Sequence, residues 1–216
     1  MESIFLDKLY AVLTQSVALF TIMNSISAGA IMLSLVPEEI SRKELRSIAA
    51  KNTKAVFISM IILYLAGTYI FKFFGISPEA LRVFGGLILL LMGINMVQGH
   101  DKRVNASQKE KDAAMDKEDI SIVPLAIPII IGPGLATSLI TLHLAAKEAA
   151  DYGVTISAIV IVTIVNYMLL SNMNIIKARL GLNGIKVLNR IMGLVVGSLA
   201  IQMIIYGIEE LWKMYS

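Results

Sequence analysis

Asn24-Ser25-Ile26-Ser27-Ala28-Gly29 lies inside one apolar run, from about Leu9 to Val36, and Gly132-Pro133-Gly134-Leu135-Ala136-Thr137 lies 108 residues later inside a second, from about Ile120 to Ala146. As an uninterrupted helix each run would measure roughly 40 Å at about 1.5 Å per residue. A bilayer hydrocarbon core is about 30 Å thick, so both runs are expected to bend, tilt or break. The small and polar residues of the two hexads are where the chain gives way most easily. Backbone N–H and C=O groups released at a break cannot face lipid, so each break belongs against protein or a water-filled cavity. Interrupted helices at matching positions of two halves point to a transporter's binding site.

The surrounding chain has the composition of an integral membrane protein. Of 216 residues, 56% are hydrophobic and 16% charged, and the mean hydropathy is +0.75, well away from an ordinary soluble domain. The charges leave six apolar segments, near Leu9–Val36, Ala55–Phe74, Ala80–Gly99, Ile120–Ala146, Val154–Ile176 and Val187–Ile208. In such a chain a net charge of +3 reads as a topology signal, and nothing in it points to nucleic acid. If the connections after segments one, three and five are cytoplasmic, they hold 14 of the 19 basic residues. Both termini are then expected outside, in a multi-pass protein of the cell (inner or plasma) membrane. Cysteine is absent, which removes disulfides and thiolate metal sites. Glu2 and Asp7 precede the first run without a basic cluster, so that run is expected to be retained and not cleaved as a leader.

Shifting the chain by 108 residues places Arg82 on Arg190, Gly85 on Gly193, Gly99 on Gly207 and Asn24-Ser25 on Gly132-Pro133. Three spans separate corresponding segments, an odd number, so the second half enters the membrane from the opposite side. The expected fold is all-α, with six transmembrane segments in two inverted-topology three-helix repeats and segments one and four broken. Residues 1–99 form the first repeat, 100–119 a polar cytoplasmic linker of mixed charge, and 120–216 the second repeat. Ser41 with Glu44 reads as a capping box, and Ser77-Pro78 as an N-cap followed by proline at the first helical position. Gly193 and Gly197 have small-xxx-small spacing suited to close packing, either within a protomer or between copies in a homo-oligomer.

The carboxylates lie in connections or near segment ends, as do His100 and His143. An enzyme would need an oriented nucleophile and base, or a metal cluster, and the spans hold neither. No cofactor is expected beyond a coupling ion, Na⁺ or H⁺. What the spans do hold is neutral polar groups, most of them suited to bonding between helices. Those at the two breaks differ, because uncapped backbone groups gather there too. A half-helix starting after a break presents free N–H groups and a positive dipole end to a carboxylate, and one ending before it presents carbonyls to an ammonium group or Na⁺. A small amino acid meets both demands. The candidate substrate-binding residues are therefore Asn24, Ser25, Ile26, Ser27, Ala28 and Gly29 with Gly132, Pro133, Gly134, Leu135, Ala136 and Thr137.

The run Pro124-Leu125-Ala126-Ile127-Pro128-Ile129-Ile130-Ile131-Gly132-Pro133-Gly134 resembles the signature of the MarC-related membrane proteins, as does Phe74-Gly75-Ile76-Ser77 followed by Ala80-Leu81-Arg82 and Gly85-Gly86. The resemblance covers nearly the whole chain except the linker. It implies six spans and, from the family's archaeal transporter branch, uptake of glycine, alanine and serine driven by a proton or sodium gradient. One position departs from the pattern: the family's first break usually reads Asn-Pro, whereas Ser25 follows Asn24 here, restoring a backbone N–H and adding a hydroxyl. A channel or facilitator with paired half-helices, and a non-transporting membrane scaffold, are the alternatives.

Overall fold

The computed structural model describes residues 2–36, 40–73, 75–99 and 130–215, all essentially helical. The expected linker, residues 100–119, and the first ten residues of the expected fourth segment lie outside them. The helices are α1 (Glu2–Met23), α2 (Ser25–Leu35), α3 (Arg42–Phe73), α4 (Pro78–Gln98), α5 (Pro133–Ala145), α6 (Ala149–Ser171) and α7 (Met173–Tyr215). Among the described residues, five stretches are long and apolar enough to cross a membrane, the first of them running through α1 and α2. At 13 residues α5 is about 20 Å long, too short to cross alone.

The ends of these helices follow local chemistry. Ser41 and Glu44 form the expected box: the Ser41 N–H donates to Glu44 Oε2 at 3.0 Å and the Glu44 N–H to Ser41 Oγ at 3.2 Å. This cap starts α3 at Arg42, well before the apolar residues from Ala55, so its charged first turns extend beyond the bilayer core. Ser41→Ala should lower stability by about 1 kcal/mol, read as an earlier unfolding midpoint in a mixed-detergent titration. Ser77 caps α4 through the Ala80 N–H at 3.2 Å, with Pro78 in the first turn. The fifth segment stops at Ser171 and not at Ile176, because Asn172 Nδ2 donates to the Met168 carbonyl at 2.8 Å and its backbone leaves helical geometry. Within α7, Gly181 at φ 63° and ψ 176° splits a short helix from the long one that follows.

The most extensive contact in the bundle is between α4 and α7, and glycine makes it possible. A Cβ on Gly93 would stand 2.8 Å from both the Gly193 oxygen and the Gly197 nitrogen. One on Gly86 would stand 2.9 Å from the Ala200 oxygen, and one on Gly207 3.0 Å from the Glu79 oxygen. The helices thus run antiparallel, backbone against backbone, within one protomer. Arg82 closes one end of the pair on Glu210 at 2.6 Å.

The outer surface is apolar: Val17, Leu13, Ile62, Leu91, Leu194 and Ile205 are among many large hydrophobic side chains turned outward. A water-soluble monomer does not expose apolar area on this scale, and a lipid-facing bundle requires it. Tyr10, Tyr69 and Trp212, each more than 70% exposed, sit near the start of α1, the end of α3 and the end of α7, as an interfacial aromatic girdle does. Inside, Leu19, Met23, Met60, Tyr64, Leu89, Leu135 and Ile159 form the main core. A second cluster, including Ile31, Met32, Leu45, Leu170, Met173 and Ile185, holds α2 against the α6–α7 junction. The chain is an all-helical, multi-pass integral membrane protein.

Candidate functional site

The first break is a single residue. Asn24 adopts φ 51° and ψ 47°, the only positive φ outside glycine among the described residues. Asparagine tolerates this left-handed geometry better than most side chains because its amide can bond locally. The backbone stays connected across the bend: the Asn24 N–H donates to the Thr21 carbonyl at 3.3 Å, and the Ala28 N–H to the Asn24 carbonyl at 3.2 Å. The side chains are less well served. Asn24 is 4% exposed and Ser25 1% exposed, yet Asn24 Oδ1 and Ser25 Oγ have no hydrogen-bond partner. Asn24 Nδ2 makes only a long contact, 3.8 Å, to Met96 Sδ. No side chain caps the N-terminus of α2.

At the expected second break Gly132 is extended and Pro133 opens α5, again without a side-chain cap; what precedes residue 130 lies outside the described residues. The Ala136 N–H donates to the Gly132 carbonyl at 3.1 Å. Thr137 Oγ1 donates to the Pro133 carbonyl and Ser138 Oγ to the Gly134 carbonyl, each at 2.9 Å. Both hydroxyl protons are thereby used within α5, leaving oxygen lone pairs free to accept. Gly132, Gly134, Leu135 and Thr137 are buried, Ala136 is half-buried and Pro133 exposed.

The twelve residues chosen from the sequence do not make one continuous surface. A Cβ on Gly134 would lie 2.3 Å from Leu89 Cδ2 and 3.9 Å from Ile22 Cγ2. The second break therefore touches the first through Ile22, two residues before Asn24. Gly85 receives Thr137 so closely that a Cβ there would stand 2.0 Å from Thr137 Cγ2. Leu89 and Met96 are seven residues apart, about 10 Å along α4, so one helix runs beside both breaks. Ser27 and Ala28 are fully buried, whereas Ile26 and Gly29 turn the other way. Gly29 packs against Met173 and Leu170, and Ile26 joins the same cluster.

Two openings lie along α1 and α5, and none of the twelve residues lines either of them. One of about 200 Å³ lies between α1, α5 and α7, lined by Ile22, Leu19, Ser138, Thr141, Gln202 and Met203 among others. A cleft of about 330 Å³ continues from it past Gln15 and Leu142 to Lys8, Asp151 and Thr155. The Thr155 hydroxyl donates to Gln15 Oε1 at 2.9 Å, and Lys8 pairs with Asp151 at 3.5 Å. Gln15 and Thr155 are missing from the sequence-derived site, since nothing in their local sequence shows that α1 and α6 meet. Ser138, Thr141 and Gln202 were legible as polar groups within spans, but not as the wall of one opening. Among the described residues no three His, Asp or Glu side chains gather to hold a metal ion.

Comparison with known proteins agrees with this architecture. A UPF0056 membrane protein of Methanocaldococcus jannaschii is 34% identical over 94% of this chain and 98% of its own length. Another, from Pyrococcus horikoshii, is 38% identical over 88% and 90%, and one from Bacillus subtilis is 29% identical over 91% and 93%. No solved structure matches. The model of the MarC family integral membrane proteins matches residues 9–212, nearly the whole chain, and the protein belongs to that family.

Proposed function

We propose that this protein is a secondary active transporter of small neutral amino acids, glycine and alanine foremost and serine after them. The observation that carries this reading is the pair of buried, unpartnered oxygens, Asn24 Oδ1 and Ser25 Oγ, at an uncapped helix start inside the bundle. Leaving such a group unsatisfied costs about 1–3 kcal/mol, which a bound solute would return. Oδ1 is an acceptor suited to an ammonium group. The Ser25 hydroxyl and the first N–H groups of α2 are donors suited to a carboxylate. The neighbouring 200 Å³ opening is below the usual range for drug-sized ligands, in keeping with a small solute.

The packing also favours a chain built as two inverted three-helix repeats around broken segments one and four. Exchanging the halves turns the contact of α1 with α6 into that of α5 with α3, and the contact of α4 with α5 into that of α7 with α1 and α2; all four occur. The α3–α6 and α4–α7 contacts map onto themselves. In this reading the basic connections face the cytoplasm and both termini lie outside the cell membrane. Movement of one repeat against the other alternates access to the breaks, with Na⁺ or H⁺ as the coupling ion.

Uptake of labelled glycine into liposomes holding the purified protein tests this, with Na⁺ and pH gradients imposed separately. Accumulation above equilibrium under one gradient is the expected result and names the ion. Uptake that only equilibrates would make the protein a facilitator, and none above empty liposomes would remove the substrate assignment.

A further inference from the structure

We propose that Ser25 of α2 and Asn166 of α6, with Thr53 of α3 beside them, form a binding site for a sodium ion, and that the ion acts on the substrate through the Ser25 hydroxyl. The coupling rests on the transport reading above; the ion site itself does not.

Ser25 and Asn166 come together because α1, α2 and α6 keep one register. Lys8 meets Asp151 and, further along both helices, Gln15 meets Thr155, so α1 and α6 run in the same direction. Eleven residues on from that second pair stand Ile26 and Asn166. Beyond them, a Cβ on Gly29 would lie 3.3 Å from Leu170 Cδ2. Residues four apart share one face of a helix, so a turn back from Gly29 and from Leu170 brings Ser25 opposite Asn166. The Asn24 amide, by contrast, is turned to Met96 of α4.

Both residues are shut away from solvent, at 1% and 0% exposure, yet neither Ser25 Oγ nor Asn166 Oδ1 has a hydrogen-bond partner. The Asn166 amide is held in place by its Nδ2, which donates to Thr53 Oγ1 at 3.2 Å. What is left over is therefore oxygen on both helices, with a third oxygen on Thr53 that keeps a lone pair to give. Polar atoms left so in a helical membrane protein call for a physical account. Neutral amide and hydroxyl oxygens are ligands for hard cations. None of the three is a carboxylate, so they do not offset the dehydration of a divalent ion, whereas such oxygens can replace the hydration shell of a monovalent one. Neither opening reaches Ser25 or Asn166, and this close packing favours the smaller Na⁺ over K⁺. Thr53 is half-buried at the border between the charged first turns of α3 and its apolar stretch, which gives the ion a route from water.

A hydroxyl offers its lone pairs and its proton in different directions. Ser25 can thus give a lone pair to the ion and its proton to the substrate carboxylate, and an ion on the oxygen makes that proton a stronger donor. Each ligand then raises the affinity for the other by the same factor.

Two measurements test this on the full chain in lipid. The first is the unfolding midpoint in NaCl, KCl and choline chloride at equal ionic strength. Na⁺ well above its dissociation constant should raise the midpoint by about 5 °C over choline, and K⁺ should raise it much less. Ser25→Ala and Asn166→Ala should each abolish the Na⁺ increment, which is read within each variant and so does not depend on the variant's own stability. Asn166→Asp keeps an oxygen and adds charge, so it should reach the increment at about tenfold lower Na⁺ concentration. Equal midpoints in the three salts would overturn the ion site and leave a bridging water to satisfy the two oxygens. An increment unchanged in both alanine variants would place the ion elsewhere. In liposomes, a Na⁺ gradient should drive glycine accumulation by the unaltered protein and fail to do so in Ser25→Ala. Accumulation driven only by a pH gradient, with the Na⁺ increment intact, would overturn the coupling. If the unaltered protein takes up no glycine, the coupling falls with the transport reading, and the midpoints alone decide the ion site.

Discussion

Gly93→Leu is expected to lower stability by about 3 kcal/mol or more and to leave little folded protein, the largest effect on folding of any substitution considered. The atoms that a Cβ would meet there are the backbone oxygen of Gly193 and the backbone nitrogen of Gly197, both at 2.8 Å. A side-chain tip can rotate out of the way, but a helix backbone moves only if the whole helix does. Overpacking an accommodating core costs about 1–3 kcal/mol; here the α4–α7 contact must open along its length. That is a large share of a total stability of about 5–15 kcal/mol. Gly153→Ala gives a control of opposite sign. It lies within α6 with nothing inside 4 Å of the added carbon, so replacing glycine in a helix should stabilise by about 0.5–1 kcal/mol. Unfolding midpoints in mixed detergent compare the two. Equal midpoints would refute the backbone-on-backbone packing of α4 and α7.

Asn24→Gly is expected to leave the fold intact and to weaken glycine transport by about 10- to 100-fold. Glycine takes φ 51° without strain, so the left-handed turn between α1 and α2 is kept while the amide is removed. The loss expected is that of a hydrogen bond to a charged group, about 1.5–3 kcal/mol, and each 1.4 kcal/mol is a factor of ten. Asn24→Ala confounds the test, because alanine in the left-handed region adds strain of about 1–2 kcal/mol. The measurement is the concentration dependence of glycine uptake, with the unfolding midpoint as the check on folding. Unchanged uptake by a folded Asn24→Gly protein would reduce Asn24 to a backbone device and move the substrate elsewhere.

Gly134 shows how a residue can be identified correctly from sequence while its surroundings are misjudged. Glycine around a break suggests open space for a small ligand, yet Leu89 occupies that space. A larger side chain at 134 would strike Leu89 before it filled any pocket, so loss of uptake in Gly134→Leu would not by itself locate a binding site. The nearest opening, a largely apolar one, lies a turn further along α5, at Ser138 and Thr141. Likewise, His143 reads from the sequence as a histidine near a segment end. Its neighbours Tyr64 and Tyr152 come from two other helices, and no local pattern announces them.

By itself the sequence determined the class of protein, the apolar segments, the points where helices start, and the two positions where a long apolar run was expected to give way. These follow from local causes: bilayer thickness against rise per residue, the reciprocal bonds of Ser41 and Glu44, and the geometry open to Asn24 and Pro133. Only the tertiary structure decided what each break faces. Asn24 turns toward Met96 of α4, Asn24 and Ser25 keep oxygens unsatisfied, Gly29 turns toward the α6–α7 junction, and Gly134 lies beneath Leu89. It also placed Gly93 on Gly193 and brought Tyr64, His143 and Tyr152 together. Such juxtapositions depend on how helices cross, and crossing is set by close packing summed over many residues distant in the chain. A local stretch contains the propensity to bend but not the partner it bends toward.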